Sequence, residues 1–147
     1  MLKKILVAVD GSAPSRRALK MGAEIAQKFD AVLVLIYVIR DMQLPESLRQ
    51  MAEVELVQES RLTTLQKIGQ KILEEAAEGA KATGARDIRL EVRPGDPAGA
   101  ILRYASDEKV DLIVMGSRGL GEMESMLLGS VSRKVSNLAK VGCLTVH

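Results

Sequence analysis

Three runs of apolar residues, at 5–9 (ILVAV), 32–39 (VLVLIYVI) and 112–115 (LIVM), constrain this chain more than anything else in it. Each is continuous rather than alternating, and β-branched residues are frequent. Successive side chains of a strand point to opposite faces, so a run that is apolar at every position must be covered on both sides. Parallel sheets meet that condition, and they need crossover connections, for which helical patterns lie between the runs. The segment 88–92 (IRLEV) alternates and reads as a weaker strand, and 142–147 (GCLTVH) adds a fifth at an edge. The expected order is β-α-β-α-β-α-β-α-β, an open, doubly wound α/β sheet in one domain spanning residues 1–147.

The helices carry their own punctuation. The first is expected over 14–29, capped by Ser12 or Ala13, with Ala18, Leu19, Gly22, Ile25, Ala26 and Phe29 on one face. The second region, 45–83, shows helical spacing at Leu62, Leu65, Ile68, Ile72, Ala76 and Ala80, and Gly84 is its stop. That region is long for one crossover, and 41–58 reads as a loop or short helix before it. The third helix opens on Asp96-Pro97, an N-cap followed by proline at the first helical position, and buries Ala98, Ile101, Leu102 and Ala105. The fourth starts at Gly129 and presents Val131, Val135, Leu138 and Ala139 inward.

Composition removes several function classes. Formal net charge is +2 with 27% charged residues, a mixed surface that lacks the basic excess of an obligate nucleic-acid binder. Phe29, Tyr37 and Tyr104 are the only aromatics, too few for a base-stacking platform. Cys143 is alone, so no internal disulfide or CxxC site can form, and a reducing, cytoplasmic setting fits. His147 is the only histidine, which excludes a multi-histidine metal site. The opening apolar run is too short for a signal peptide or a spanning helix, so no membrane association is expected.

Ligands of doubly wound sheets bind beyond the carboxyl ends of strands. Two strands here leave through polar, glycine-containing turns: Ala8-Val9-Asp10-Gly11-Ser12 and Met115-Gly116-Ser117-Arg118-Gly119. If they are neighbours, both turns face one crevice. The second turn continues to Gly129-Ser130 at the start of the last helix. Glycines let backbone N–H groups approach an anion, and a helix N-terminus favours negative charge, so the stretch is built to hold phosphate. Neither a Walker A string nor a GxGxxG turn after the first strand occurs. What remains is G-x2-G-x9-G-S, formed by Gly116, Gly119, Gly129 and Ser130.

That spacing, with KKILVAVDGS at the start, RPGDPAGAI before the third helix, VDLIVMGSRG before the loop and LLGSVSRKV after it, resembles the universal stress proteins of the ATP-binding kind over essentially the whole chain. The resemblance implies a five-stranded parallel sheet in order 3-2-1-4-5 with four flanking helices, and a homodimer through the C-terminal strand. It implies ATP or another adenine nucleotide as ligand, with Mg²⁺ or Mn²⁺ held mainly through the phosphates. Ala8, Val9 and Asp10 would lie at the end of the first strand and Val38 would meet adenine through its backbone. Met115, Gly116, Arg118 and Gly119 would line ribose and phosphates, and Gly129, Ser130, Val131 and Ser132 would present N–H and hydroxyl groups to the phosphates. Two departures stand out: Glu122 and Glu124 in the loop, and Gly142 and Thr145 in the last strand, which weaken it as a dimer strand.

Plainer readings stand beside these. Asp10 either orders the DGS turn or touches a ligand. Asp96 is a cap sooner than a metal ligand. Arg118 is either solvated or a phosphate partner, and its place between glycines favours phosphate. Met123, Met126, Leu127 and Leu128 read as packing residues. No residue is assigned to catalysis or to metal, since no convincing general base is present. The function expected is a nucleotide-dependent sensor or switch in stress response, at most a slow ATPase, with a protein partner the sequence does not name. The alternative is a nucleotide-free dimeric interaction module of the same fold. An ATP-pyrophosphatase would want its phosphate loop after the first strand, where DGSAPS is a poor substitute.

Overall fold

The apolar runs become strands because helices roof both faces of the sheet. A computed structural model of the chain describes residues 1–40, 52–119 and 128–147. Within them the order is β1 (Lys4–Ala8), α1 (Ala13–Phe29), β2 (Val32–Ile39), α2 (Ala52–Thr83), β3 (Ile88–Pro94), α3 (Pro97–Asp107), β4 (Leu112–Gly116), α4 (Ser130–Leu138) and β5 (Gly142–Val146). The strands form one parallel sheet ordered β3-β2-β1-β4-β5, as the resemblance implies.

Alternate side chains of β1, β2 and β4 feed separate cores, which is why those runs show no polar alternation, whereas β3 feeds only one, through Ile88, Leu90 and Val92. Ile5, Val7, Leu33, Leu35 and Val114 pack with Ala18, Ala23 and Ala26 of α1 and Leu73, Ala77 and Ala80 of α2. Leu6, Val34, Ile36, Ile113 and Met115 pack on the other face with Ala98, Ile101, Tyr104 and Ala105 of α3 and Val135 of α4. Small residues on α1 allow close approach to the sheet: a Cβ at Gly22 would sit 2.5 Å from Val7 Cγ2.

The helix boundaries follow their caps. Ser12 caps α1 by accepting from Ser15 N–H, and Asp96 caps α3 by accepting from Gly99 N–H at 2.9 Å. Gly84, at φ +111°, ends α2 in a conformation that other residues rarely adopt. Proposed inward positions fail at four places. Phe29 is 49% exposed, Leu138 58%, Leu62 40% and Ile68 47%. Phe29 and Leu138 are the last residues of their helices, where the stripe runs off the sheet. On α2 the buried face is Gly69, Leu73, Ala77 and Ala80, with Gly69 pressed on the Tyr37 ring. Tyr104, unforeseen as core, is 7% exposed. The loop or short helix expected at 41–58 lies largely outside the described residues, although helix is already present from Ala52.

At the end of the sheet away from the strand carboxyl termini, Asp111 fastens β1 to β4. Its Oδ2 accepts the backbone N–H of Lys3 at 2.8 Å and of Lys4 at 2.9 Å. These bonds, Lys3 first, hold the carboxyl below its ordinary value of 3.8. A depressed carboxyl contributes stability above its unfolded value and loses it as pH falls through the folded one. Asp111→Ala is expected to cost about 1 kcal/mol, or roughly 2–4 °C of melting temperature at neutral pH. Melting curves from roughly pH 5 to 2 should then converge with wild type, because protonation removes the same bonds.

Candidate functional site

The register brings the two polar turns together. β1 pairs directly with β4, Val7 opposite Val114, so both chains leave the sheet side by side. After β1, Val9 extends the ladder by donating to Ile36 O at 2.9 Å, and Asp10 then starts the turn. Asp10 Oδ1 accepts from Ser12 N–H at 2.8 Å while Gly11 takes φ +83°, so the plainer reading of Asp10 is realised. Its other oxygen stays toward the β4 loop: a Cβ on Gly119 would lie 3.0 Å from Oδ2. Asp10 and Gly119 therefore face each other across a narrow gap.

Gly116 has a different reason to be glycine. A Cβ there would sit 2.8 Å from the Pro14 carbonyl carbon and the Ser15 nitrogen, so the first turn of α1 rests on its backbone. Of the expected site residues, Ala8, Val38, Met115 and Val131 belong to one apolar cluster on the α3/α4 face, with Met115 2% exposed. They form an apolar wall at the carboxyl edge. Arg118 is half-buried beside Gly119. Ser130 is exposed at the first position of α4.

Gly129 caps α4 and, as glycine, supplies no side-chain bond, unlike Ser12 and Asp96 at α1 and α3. Its φ and ψ of −74° and 172° are ordinary extended backbone, so conformation does not require glycine. Its N–H donates to Ser117 O. The Ser132 hydroxyl, 3% exposed, reaches Ser117 O at 2.8 Å and Gly129 O at 3.1 Å. Ser117 itself donates to Val146 O at 2.8 Å. Sequence reasoning missed this residue, because its bonding partners lie far along the chain. Its own hydroxyl is fully buried and has no hydrogen-bond partner among the described residues.

The remaining candidates resolve simply. Asp96 is held below its ordinary value chiefly by Gly99 N–H and is tied to Lys134 Nζ at 3.4 Å, which fits a cap. Among the described residues no group of three His, Cys, Asp or Glu side chains is placed to hold a metal. Nor is any described helix long and apolar enough to cross a membrane. Burial raises the Cys143 thiol above its ordinary value, so it stays protonated at neutral pH. Glu122, Glu124, Met123, Met126 and Leu127 lie outside the described residues.

Comparison with known proteins agrees with this architecture. The model of the universal stress protein family matches residues 1–147. The Bacillus subtilis (strain 168) universal stress protein YxiE is 38% identical over 151 aligned residues, covering all of both chains. The fold superposes on universal stress protein UspA from Lactobacillus plantarum with TM-score 0.87 at 24% identity, over 99% of this chain and 97% of that one. It also superposes on a universal stress protein crystallised in complex with cAMP, TM-score 0.69 and 30% identity, over 99% and 96% of the two chains.

Proposed function

The chain belongs to the universal stress protein family, and we propose that it binds an adenine nucleotide at the carboxyl edge between β1 and β4 and acts as a nucleotide-dependent sensor or switch. One observation carries the reading: Asp10 faces Gly119 beyond β4, the glycine-capped start of α4 is bonded to Ser117 of the same turn, and Ala8, Val38, Met115 and Val131 share one apolar cluster. An adenine ring fits such an aliphatic wall, and phosphate fits a helix N-terminus whose cap offers no competing side chain. The family member bound to cAMP supports an adenine nucleotide as the class of ligand.

ATP is the nucleotide we assign, with Mg²⁺ or Mn²⁺ held mainly by phosphates and water. Asp10 is the one described carboxylate at the crevice, and its Oδ2 could complete such an ion's shell, while Oδ1 stays with the turn. Arg118 supplies charge to the phosphates. Catalysis is not the role we assign. Phosphoryl transfer needs several positioned cations and a poised water, and a slow ATPase is the most this set of residues supports. A homodimer through the edge strand β5, a cytoplasmic setting and an unnamed protein partner complete the proposal.

The test is direct. Freshly purified protein, denatured and chromatographed, should release an adenine nucleotide. Titration should give saturable binding of ATP with Mg²⁺, weaker binding of AMP and cAMP, and none of GTP. Absence of both released nucleotide and saturable binding would overturn the reading in favour of a nucleotide-free interaction module.

A further inference from the structure

We propose that Ser132 is a positioning residue: its hydroxyl fastens the start of α4 to the end of β4 through the Ser117 carbonyl and does not donate to phosphate. The Ser132 hydroxyl is 3% exposed, and both of its neighbours, Ser117 O at 2.8 Å and Gly129 O at 3.1 Å, are carbonyl oxygens. A hydroxyl has one proton, and carbonyls only accept. The proton is therefore committed inside the protein. A phosphate oxygen also needs a donor, so Ser132 could serve it only by abandoning Ser117.

The latch sets where α4 begins. Ser117 O receives both the Ser132 hydroxyl and Gly129 N–H, while Ser117 N–H goes to Val146 O at 2.8 Å. One residue thus ties the end of β4 and the end of β5 to the first turn of α4. Fixing that turn fixes the direction of its backbone N–H groups before any ligand arrives, which lowers the ordering cost of binding. Only this last consequence rests on the nucleotide reading, since the latch is formed entirely within the protein.

Amide exchange by NMR on the nucleotide-free protein tests the latch without any ligand. In Ser132→Ala, exchange at Gly129 should quicken about 10-fold, the effect of losing one hydrogen bond, with the sheet amides unchanged. Binding of ATP with Mg²⁺ should weaken by a similar factor. Ser132→Thr, which keeps the hydroxyl, should restore both. Ser117→Ala keeps the carbonyl and removes a hydroxyl that takes no part in the latch, so it should leave Gly129 exchange and binding intact. Weakened binding in Ser132→Ala with unchanged Gly129 exchange would overturn the proposal and make the hydroxyl a phosphate ligand. Faster exchange throughout the sheet would overturn it as well, reducing Ser132 to general packing. If wild type binds no nucleotide, the nucleotide reading fails while Gly129 exchange still decides the latch.

Discussion

Gly116→Val is expected to lower the melting temperature by roughly 10 °C, the effect of about 3 kcal/mol of overpacking. The smallest added atom, Cβ, would already meet the Pro14 carbonyl carbon and the Ser15 nitrogen at 2.8 Å, and both are backbone. Backbone at the start of α1 cannot yield by changing a rotamer. Pro14 and Ser15 are buried there, and Ser15 bonds the Asp10 N–H at 3.1 Å. The clash would therefore disturb the β1 turn as well. Gly119→Ala is the control, because among the described residues its Cβ would approach only the carboxylate end of Asp10, at 3.0 Å. It should leave melting within about 2 °C, as surface changes usually do. Differential scanning calorimetry of both variants separates the two glycines. Equal melting of Gly116→Val and wild type would mean α1 does not rest on Gly116.

The contrast marks how far spacing carries. The G-x2-G-x9-G-S string located the loop between β4 and α4, yet it presents Gly116, Gly119 and Gly129 as equivalent. Their reasons differ: Gly116 admits α1, Gly119 admits the Asp10 carboxylate, and neither contact is local in sequence. Asp96-Pro97 was legible as a cap because both partners lie within one turn. The same locality explains the misplaced helix faces. Helical period shows which residues share a stripe, not where the sheet beneath it ends. α2 has 32 residues, about 48 Å of helix, over the eight-residue strand β2 of about 26 Å. Leu62 and Ile68 keep the period and are exposed all the same, because within 59–83, where the burial of α2 is described, the first buried residue is Gly69. Continuous apolar runs were the most reliable signal, since burial on two faces leaves no position free for a polar residue.

Gly129→Val should weaken ATP binding by at least about 100-fold, as expected when two charge-assisted N–H contacts to a phosphate are lost. Gly129 is buried at the cap of α4, with φ and ψ that any residue can adopt. Backbone strain therefore does not account for the missing side chain; the nucleotide reading supplies room for a phosphate as the reason, beside glycine's own preference for an N-cap. If phosphate needs that space, adding a side chain removes binding while the Ser117 bond, made by the Gly129 N–H, persists. Gly129→Ala should then weaken binding less and lower melting by only about 1–3 °C, since alanine is a poorer N-cap than glycine. If instead protein fills the space, melting should fall steeply with side-chain size from alanine to valine, and binding would fall only with it. Isothermal titration and melting on the same two variants distinguish these outcomes. A Gly129→Val protein that melts like wild type and still binds ATP normally would move the phosphate away from the start of α4.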